Sequence, residues 1–218
     1  MIEFKEIKYL RDIKSPFIIK EVLSFIDIKH RLNMVKYNKK LQKISEIDLK
    51  DYKKLNGKYI KDGKNGIVRE YNFYTHKLIF KGWYLNGKRN GKGKEYYKDG
   101  QLIFEGWYLN GKRNGKGKEY TNYGKLMFEG EYLNGEKNGK GKEFYYNNHL
   151  KFEGEYLNGK IWNGKGYDII GNIKFEIKDG KGNVKEYSFL DYFEFEGEYI
   201  NGEKNGKGKE YFHDKIIF

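Results

Sequence analysis

Lysine, glutamate and tryptophan at fixed intervals are the side chains with which this sequence can do chemistry, and that chemistry is recognition. Lys92 and Lys94 recur as Lys116 and Lys118, as Lys140 and Lys142, and as Lys207 and Lys209, with Lys165 standing alone. Two such rows on one surface would hold anionic headgroups at about 1 kcal/mol per lysine, or track a phosphate backbone with a steep salt dependence. Glu95, Glu119, Glu143 and Glu210 follow each pair directly, however, and Glu105, Glu129, Glu153 and Glu196 recur on the adjoining segment. Lys–Glu pairing across a solvated face accounts for the same residues. That reading is favoured, and it argues against nucleic acid. Trp83 and Trp107, beside Leu85 and Leu109, occupy a place where other copies carry Glu131, Glu155 and Glu198. They form an apolar patch on an otherwise polar surface, either a patch that binds a protein partner or one that the N-terminal helices fold back to cover.

The residues of catalysis are not arranged for it. His30, His76, His149 and His213 share no ligand spacing with one another or with a carboxylate cluster. Serine stands only at 15, 24, 45 and 188, outside any G-x-S-x-G elbow. Cysteine is absent, which excludes thiol catalysis, thiolate metal sites and disulfides. The GKRNGKGK strings are one residue short of a phosphate loop and lack its Ser/Thr. The expectation is a non-enzyme with no cofactor and no metal.

What must position these residues is a repeat. GWYLNGKRNGKGKEY opens at Gly82 and Gly106, and close copies start at Gly130, Gly154 and Gly197. The first four starts lie 24 residues apart, Gly57 opens a looser copy, and a short copy begins at Ile177, giving about seven units. Within each unit Phe, Gly and Tyr alternate to one face, as in Phe104, Gly106 and Tyr108, while Glu105, Trp107 and Leu109 point to the other. Asn110-Gly111 reverses the chain, because both residues tolerate positive φ. The glycine between two rings leaves a slot for a neighbouring hairpin's aromatic, so hairpins that are marginal alone can cover one another. A chain of 218 residues with 38% apolar and 18% aromatic content folds by burying rings. Its net charge of +13 comes mostly from 39 lysines against five arginines, a bias that AT-rich coding also produces.

The pattern F-E-G-[WE]-Y-L-N-G-x-x-N-G-K-G-K-E-[YF] resembles the MORN repeat, on Phe104, Gly106, Tyr108, Gly111, Gly115, Gly117 and their equivalents. The resemblance covers about residues 57–218 and departs from the pattern at Ile177 and at Ile161-Trp162. It implies a mainly β fold: an elongated, single-layer antiparallel sheet of stacked β-hairpins over 56–218, irregular around 160–190, used as a scaffold for protein–protein interaction. Docking on phospholipid and dimerisation are also implied, and an open C-terminal edge strand would serve a homodimer.

Residues 1–55 lack glycine and read as a small α-helical cap. A helix starts at Ser15-Pro16 with an apolar stripe, a second is expected over His30–Leu41 and a third over Ile47–Leu55. Pro16, Leu23, Phe25 and Leu32 are spaced as in an F-box, which implies a Skp1-like partner and a ubiquitin-ligase adaptor as the alternative role. No apolar run reaches the ~18–20 residues of a bilayer span and no leader is evident, so an intracellular protein, soluble or peripherally membrane-associated, is expected.

Overall fold

The computed structural model describes residues 15–26, 32, 39–46, 49–62, 66–188, 193–212 and 215–216. The chain divides into two units: Met1–Tyr59 with Tyr71–His76, and Ile60–Glu70 with Lys77–Phe218.

Among the described residues the first unit includes the short helices α1 (Pro16–Ser24), α2 (Lys39–Ile44) and α3 (Leu49–Asn56). Ser15 is extended (φ −81°, ψ 116°) and its hydroxyl accepts the Ile18 N–H at 3.5 Å, while Pro16 occupies the first turn, where no N–H is needed. Ile19, Leu23, Leu32 and Leu41 are buried. Most of the expected second helix, His30–Leu41, lies outside the described residues; within it Leu32 is helical, and α2 begins at Lys39 and runs to Ile44. Near the unit's end the Asn72 side chain accepts the N–H groups of Tyr74 and Thr75, both at 2.9 Å, and Tyr59 stacks on Tyr71 at 5.4 Å.

The second unit is built from antiparallel strands in chain order. One sheet contains β1 (Lys58–Asp62), β2 (Ile67–Asn72), β3 (Leu78–Leu85), β4 (Lys88–Tyr96), β5 (Leu102–Leu109), β6 (Lys112–Tyr120), β7 (Leu126–Leu133), β8 (Glu136–Phe144), β9 (Leu150–Leu157), β10 (Lys160–Tyr167) and β11 (Ile173–Ile177). A second sheet contains β12 (Gly182–Tyr187), β13 (Phe193–Ile200), β14 (Glu203–Phe212) and β15 (Lys215–Ile216). Asn110 (φ 51°) and Gly111 (φ 90°) make the mirror-image turn that suits strand twist. Each such turn is tied to the previous one: Gly111 N–H donates to Arg89 O at 2.8 Å, and Gly135 N–H to Arg113 O at 2.9 Å.

The core lies on one face and consists of rings. Phe80, Phe104, Phe128 and Phe152 are buried with Tyr108, Tyr132 and Tyr156 between them. Phe104 meets Tyr108 of its own strand at 5.6 Å and Tyr132 of the next unit at 5.3 Å, edge-on at 85° and 88°. Such contacts add about 0.5–1.5 kcal/mol to the area buried. The slot is filled differently from the sequence expectation. The ring over each glycine pair is the hairpin's own phenylalanine: a Cβ on Gly106 or Gly117 would stand 2.6 or 2.3 Å from Phe104 Cζ. The neighbour's tyrosine comes edge-on beside it.

The sheet is not continuous, and the irregular unit explains why. Register across β10 and β11 places Ile177 opposite Gly164, and across β12 and β13 Val184 opposite Gly197. These are the positions of the paired glycines elsewhere. Both side chains are buried where a phenylalanine ring would otherwise lie. Phe175 therefore folds back onto Gly166, where a Cβ would meet its Cε1 at 1.9 Å, and stacks on Phe152 at 6.2 Å and 21°. The turn comes early, and among the described residues the strand pairing between β11 and β12 is reduced to the isolated Lys178–Lys181 bridge in the connection.

Candidate docking surface

The face opposite the rings carries the lysines and tryptophans, and register sorts them into two rows. One row is Lys81, Lys94, Glu105, Lys118, Glu129, Lys142 and Glu153; the other is Trp83, Lys92, Trp107, Lys116, Glu131, Lys140 and Glu155. Between them run the backbones of Gly82, Gly93, Gly106, Gly117, Gly130, Gly141 and Gly154. The result is a groove of about 980 Å³ crossing β3 to β9, with glycine as its floor and the two rows as walls.

The walls differ in charge. In the first, every lysine after Lys81 meets a carboxylate on the next strand: Lys94–Glu105 at 2.9 Å, Lys118–Glu129 at 3.2 Å and Lys142–Glu153 at 3.0 Å. Lys165–Glu176 and Lys185–Glu196 continue the pattern at 3.1 and 2.8 Å. A hydrogen bond from Lys94, helped by one from Tyr120, holds the Glu105 carboxyl below its ordinary range. In the second wall, Glu131 accepts the Lys140 backbone N–H at 3.3 Å and Glu155 accepts the Asn163 amide at 2.9 Å. Among the described residues, Lys92, Lys116 and Lys140 make no ion pair there; Lys92 lies over the Trp107 ring at 5.4 Å.

Trp83 and Trp107 are each 46% exposed. Trp107 alone faces three residues of β6, because the register jumps from Tyr108–Arg113 to Gly106–Gly117. Its Cβ rests on Gly115, whose φ of +92° makes that bulge possible. Leu85 and Leu109 are exposed beside the turns and do not line the groove. Lys207 and Lys209 belong to the second sheet, outside it.

Glu95, Glu119, Glu143 and Glu210 correct the sequence reading. They alternate to the ring face and pair with cations that the sequence analysis did not single out. Arg89 lies 4.2 Å over Phe80 and binds Glu70 at 3.1 Å and Glu95 at 2.7 Å. Arg113 lies 4.1 Å over Phe104, bonds Glu95 at 2.9 Å and also pairs with Glu119. Lys137 and Lys204 repeat this over Phe128 and Phe195. The signal was available: two of the five arginines stand 24 residues apart at the same unit position. In the irregular unit Ile161 and Gly166 replace the cation and its glutamate, and the Phe175 ring fills the space.

The family comparison matches the MORN repeat over residues 80–102, 104–125, 128–149 and 195–215. Four of the units are MORN repeats. MORN repeats are typically non-enzymatic binding modules for proteins or lipids. No curated protein matches the chain. Among solved structures it is similar to an S. aureus TarM variant in complex with fondaparinux, alpha-GlcNAc-glycerol and UDP, at 16% identity and a TM-score of 0.35, covering 74% of this chain and 31% of that one. A second TarM structure matches at 15% identity and a TM-score of 0.33, covering 71% and 30%. The chain thus spans under a third of either.

The groove lies on the MORN units matched at 80–102, 104–125 and 128–149, and extends to β9. Among the described residues no cluster of His, Asp and Glu could hold a metal, and no helix is long and apolar enough to cross a membrane. His76 faces the Tyr59 hydroxyl at 3.2 Å and His149 faces Ile169 O; His30 and His213 lie outside the described residues. Of the N-terminal candidates, Leu23 and Leu32 are buried, Pro16 is exposed at the start of α1, and Phe25 is 87% exposed.

Proposed function

We propose that this chain is a non-enzymatic docking scaffold that receives a protein partner in the glycine-floored groove. The observation that carries this is the pair of half-exposed tryptophans set in a long groove whose floor is bare backbone. Tryptophans of that kind dominate binding energy where they are desolvated by a partner. A membrane role is less well supported, because Lys94, Lys118 and Lys142 are already neutralised by carboxylates. The test is affinity capture from the native host with wild type and the Trp83→Ala/Trp107→Ala variant, alongside their melting temperatures. The scaffold reading expects specific protein partners to be lost with melting unchanged. Equal capture by the variant, or a drop in melting of several degrees that marks the rings as structural, would overturn it.

A further inference from the structure

Resting on that docking role, we infer that the segment the groove accepts is an acidic, proline-spaced polypeptide in the polyproline II conformation. Three features select it. The first is period. Trp83 and Trp107 sit on β3 and β5, and Lys92, Lys116 and Lys140 on β4, β6 and β8. Each series recurs every second strand, about 9.6 Å apart. A polyproline II helix advances about 9.3 Å per three-residue turn, so every third residue meets an equivalent side chain. An extended β-strand repeats at about 6.6–6.8 Å and falls out of step.

The second is charge. One wall is neutralised by cross-strand pairs from Lys94 onward, whereas Lys92, Lys116 and Lys140 on the other have no carboxylate partner among the described residues. Glu131 and Glu155 are held by hydrogen bonds from Lys140 N–H and Asn163. At the β3 end Lys81 stands opposite Lys94, a like-charged pair, where later hairpins place Glu105 and Glu129 opposite lysine. Glu131 and Glu155 stand opposite Lys116 and Lys140 in register, yet with Lys81 the lysines without an ion pair among the described residues number four against these two carboxylates. The open charge is net positive, and an acidic residue in each turn of the ligand would meet it.

The third is shape. Proline rings pack on tryptophan faces, and a preformed helix gives up little entropy on binding. The seven strands from β3 to β9 span about 29 Å, room for roughly nine residues at about 3.1 Å each. Prolines on Trp83 and Trp107, with acidic residues continuing toward Lys140, would fill it.

The test is fluorescence anisotropy of a labelled peptide of four Pro-Glu-Ser triplets with the full chain. The controls are the same composition scrambled out of its three-residue period and a Pro-Lys-Ser counterpart. The period-three acidic peptide should bind at least tenfold tighter than either. Lys116→Glu with Lys140→Glu should weaken it roughly tenfold and reverse the preference toward the lysine peptide; Trp83→Ala with Trp107→Ala should weaken it roughly 30-fold. The exposed lysine variants carry the test if the tryptophan variant fails to fold. Equal binding of the scrambled peptide, indifference to charge reversal, or tighter binding of an acidic oligosaccharide or of phosphatidylserine vesicles would overturn the inference. If all peptides fail while the tryptophan variant still loses its native partner, the docking role stands and the polyproline assignment falls.

Discussion

Gly117 and Gly100 separate two reasons for glycine at the scale of a single residue. Gly117 has no positive φ, yet a Cβ there would stand 2.3 Å from Phe104 Cζ. Gly100 has a φ of +97° and nothing within 4 Å. Gly117→Ala is therefore expected to cost about 1–3 kcal/mol or more by overpacking, and Gly100→Ala about 1–2 kcal/mol by backbone strain alone. Urea unfolding should rank them so, and a double variant with Phe104→Leu should relieve Gly117→Ala but leave Gly100→Ala unchanged. Arg113 gives a second contrast. It bonds Glu95 and Glu119 together, whereas Lys137 at the same place in the next unit bonds Glu143 only. Arg113→Lys should cost about 1 kcal/mol. Arg113→Ala, which strands the partly buried Glu119 and leaves Glu95 to Arg89 alone, should cost about 3 kcal/mol.

Among the elements, the hairpin between β11 and β12 is the one that differs. Ile177 and Val184 replace the glycine pair and are buried, so they act as a small aliphatic plug between two ring ladders. Replacing either with alanine should cost about 1–4 kcal/mol through the cavity left behind. The single bridge at Lys178–Lys181 also marks where cooperative units part. Hydrogen exchange should show β12–β14 losing protection before β4–β9, and Val184→Ala should widen that gap. Uniform exchange across both sheets would show that turn-to-turn bonds such as Gly180 N–H to Trp162 O, at 2.8 Å, carry the coupling instead.

Across the whole molecule, the ring face makes stability depend on pH at both ends. Burial, and then the Glu95, Glu119 and Glu143 carboxylates, raise the pKa of Tyr108, Tyr132 and Tyr156 well above the ordinary 10.0. Tyr84 is pushed up to about 12 by burial and its hydrogen bond to Glu70. The folded chain thus holds these protons more tightly than the unfolded one. Their contribution is complete below pH 10 and is lost as pH rises from there through the folded values. At the acid end burial would raise Glu143, but the charge and hydrogen bond of Lys137 outweigh it and leave the pKa below the ordinary 4.5. That contribution is present above 4.5 and disappears as pH falls through the lowered value. Circular dichroism should show a plateau between these limits. Exposed rings such as Tyr74 and Tyr123 contribute to the absorbance without the ladder, so it is the last phase of the tyrosinate rise that should coincide with loss of β signal; a titration that reaches completion with the sheet intact would contradict the buried ladder.

The sequence by itself determined the hairpin, the turn and the alternation of faces, because each is a local matter: Asn-Gly fixes the reversal, and a period of two fixes which side chains share a side. It also marked Trp83, Trp107 and the Lys–Glu pairing, since these recur at constant spacing. Only the tertiary structure decided which glutamates go where. Glu95 and Glu105 look alike in the repeat, but the pleat sends one under Arg89 and Arg113 and the other to Lys94. Tertiary structure also decided that Ile177 and Val184 would interrupt the sheet, because whether a glycine can be replaced depends on a ring arriving from elsewhere in the chain. The groove belongs there too: its walls come from seven strands, and no stretch of sequence contains more than a few of its residues.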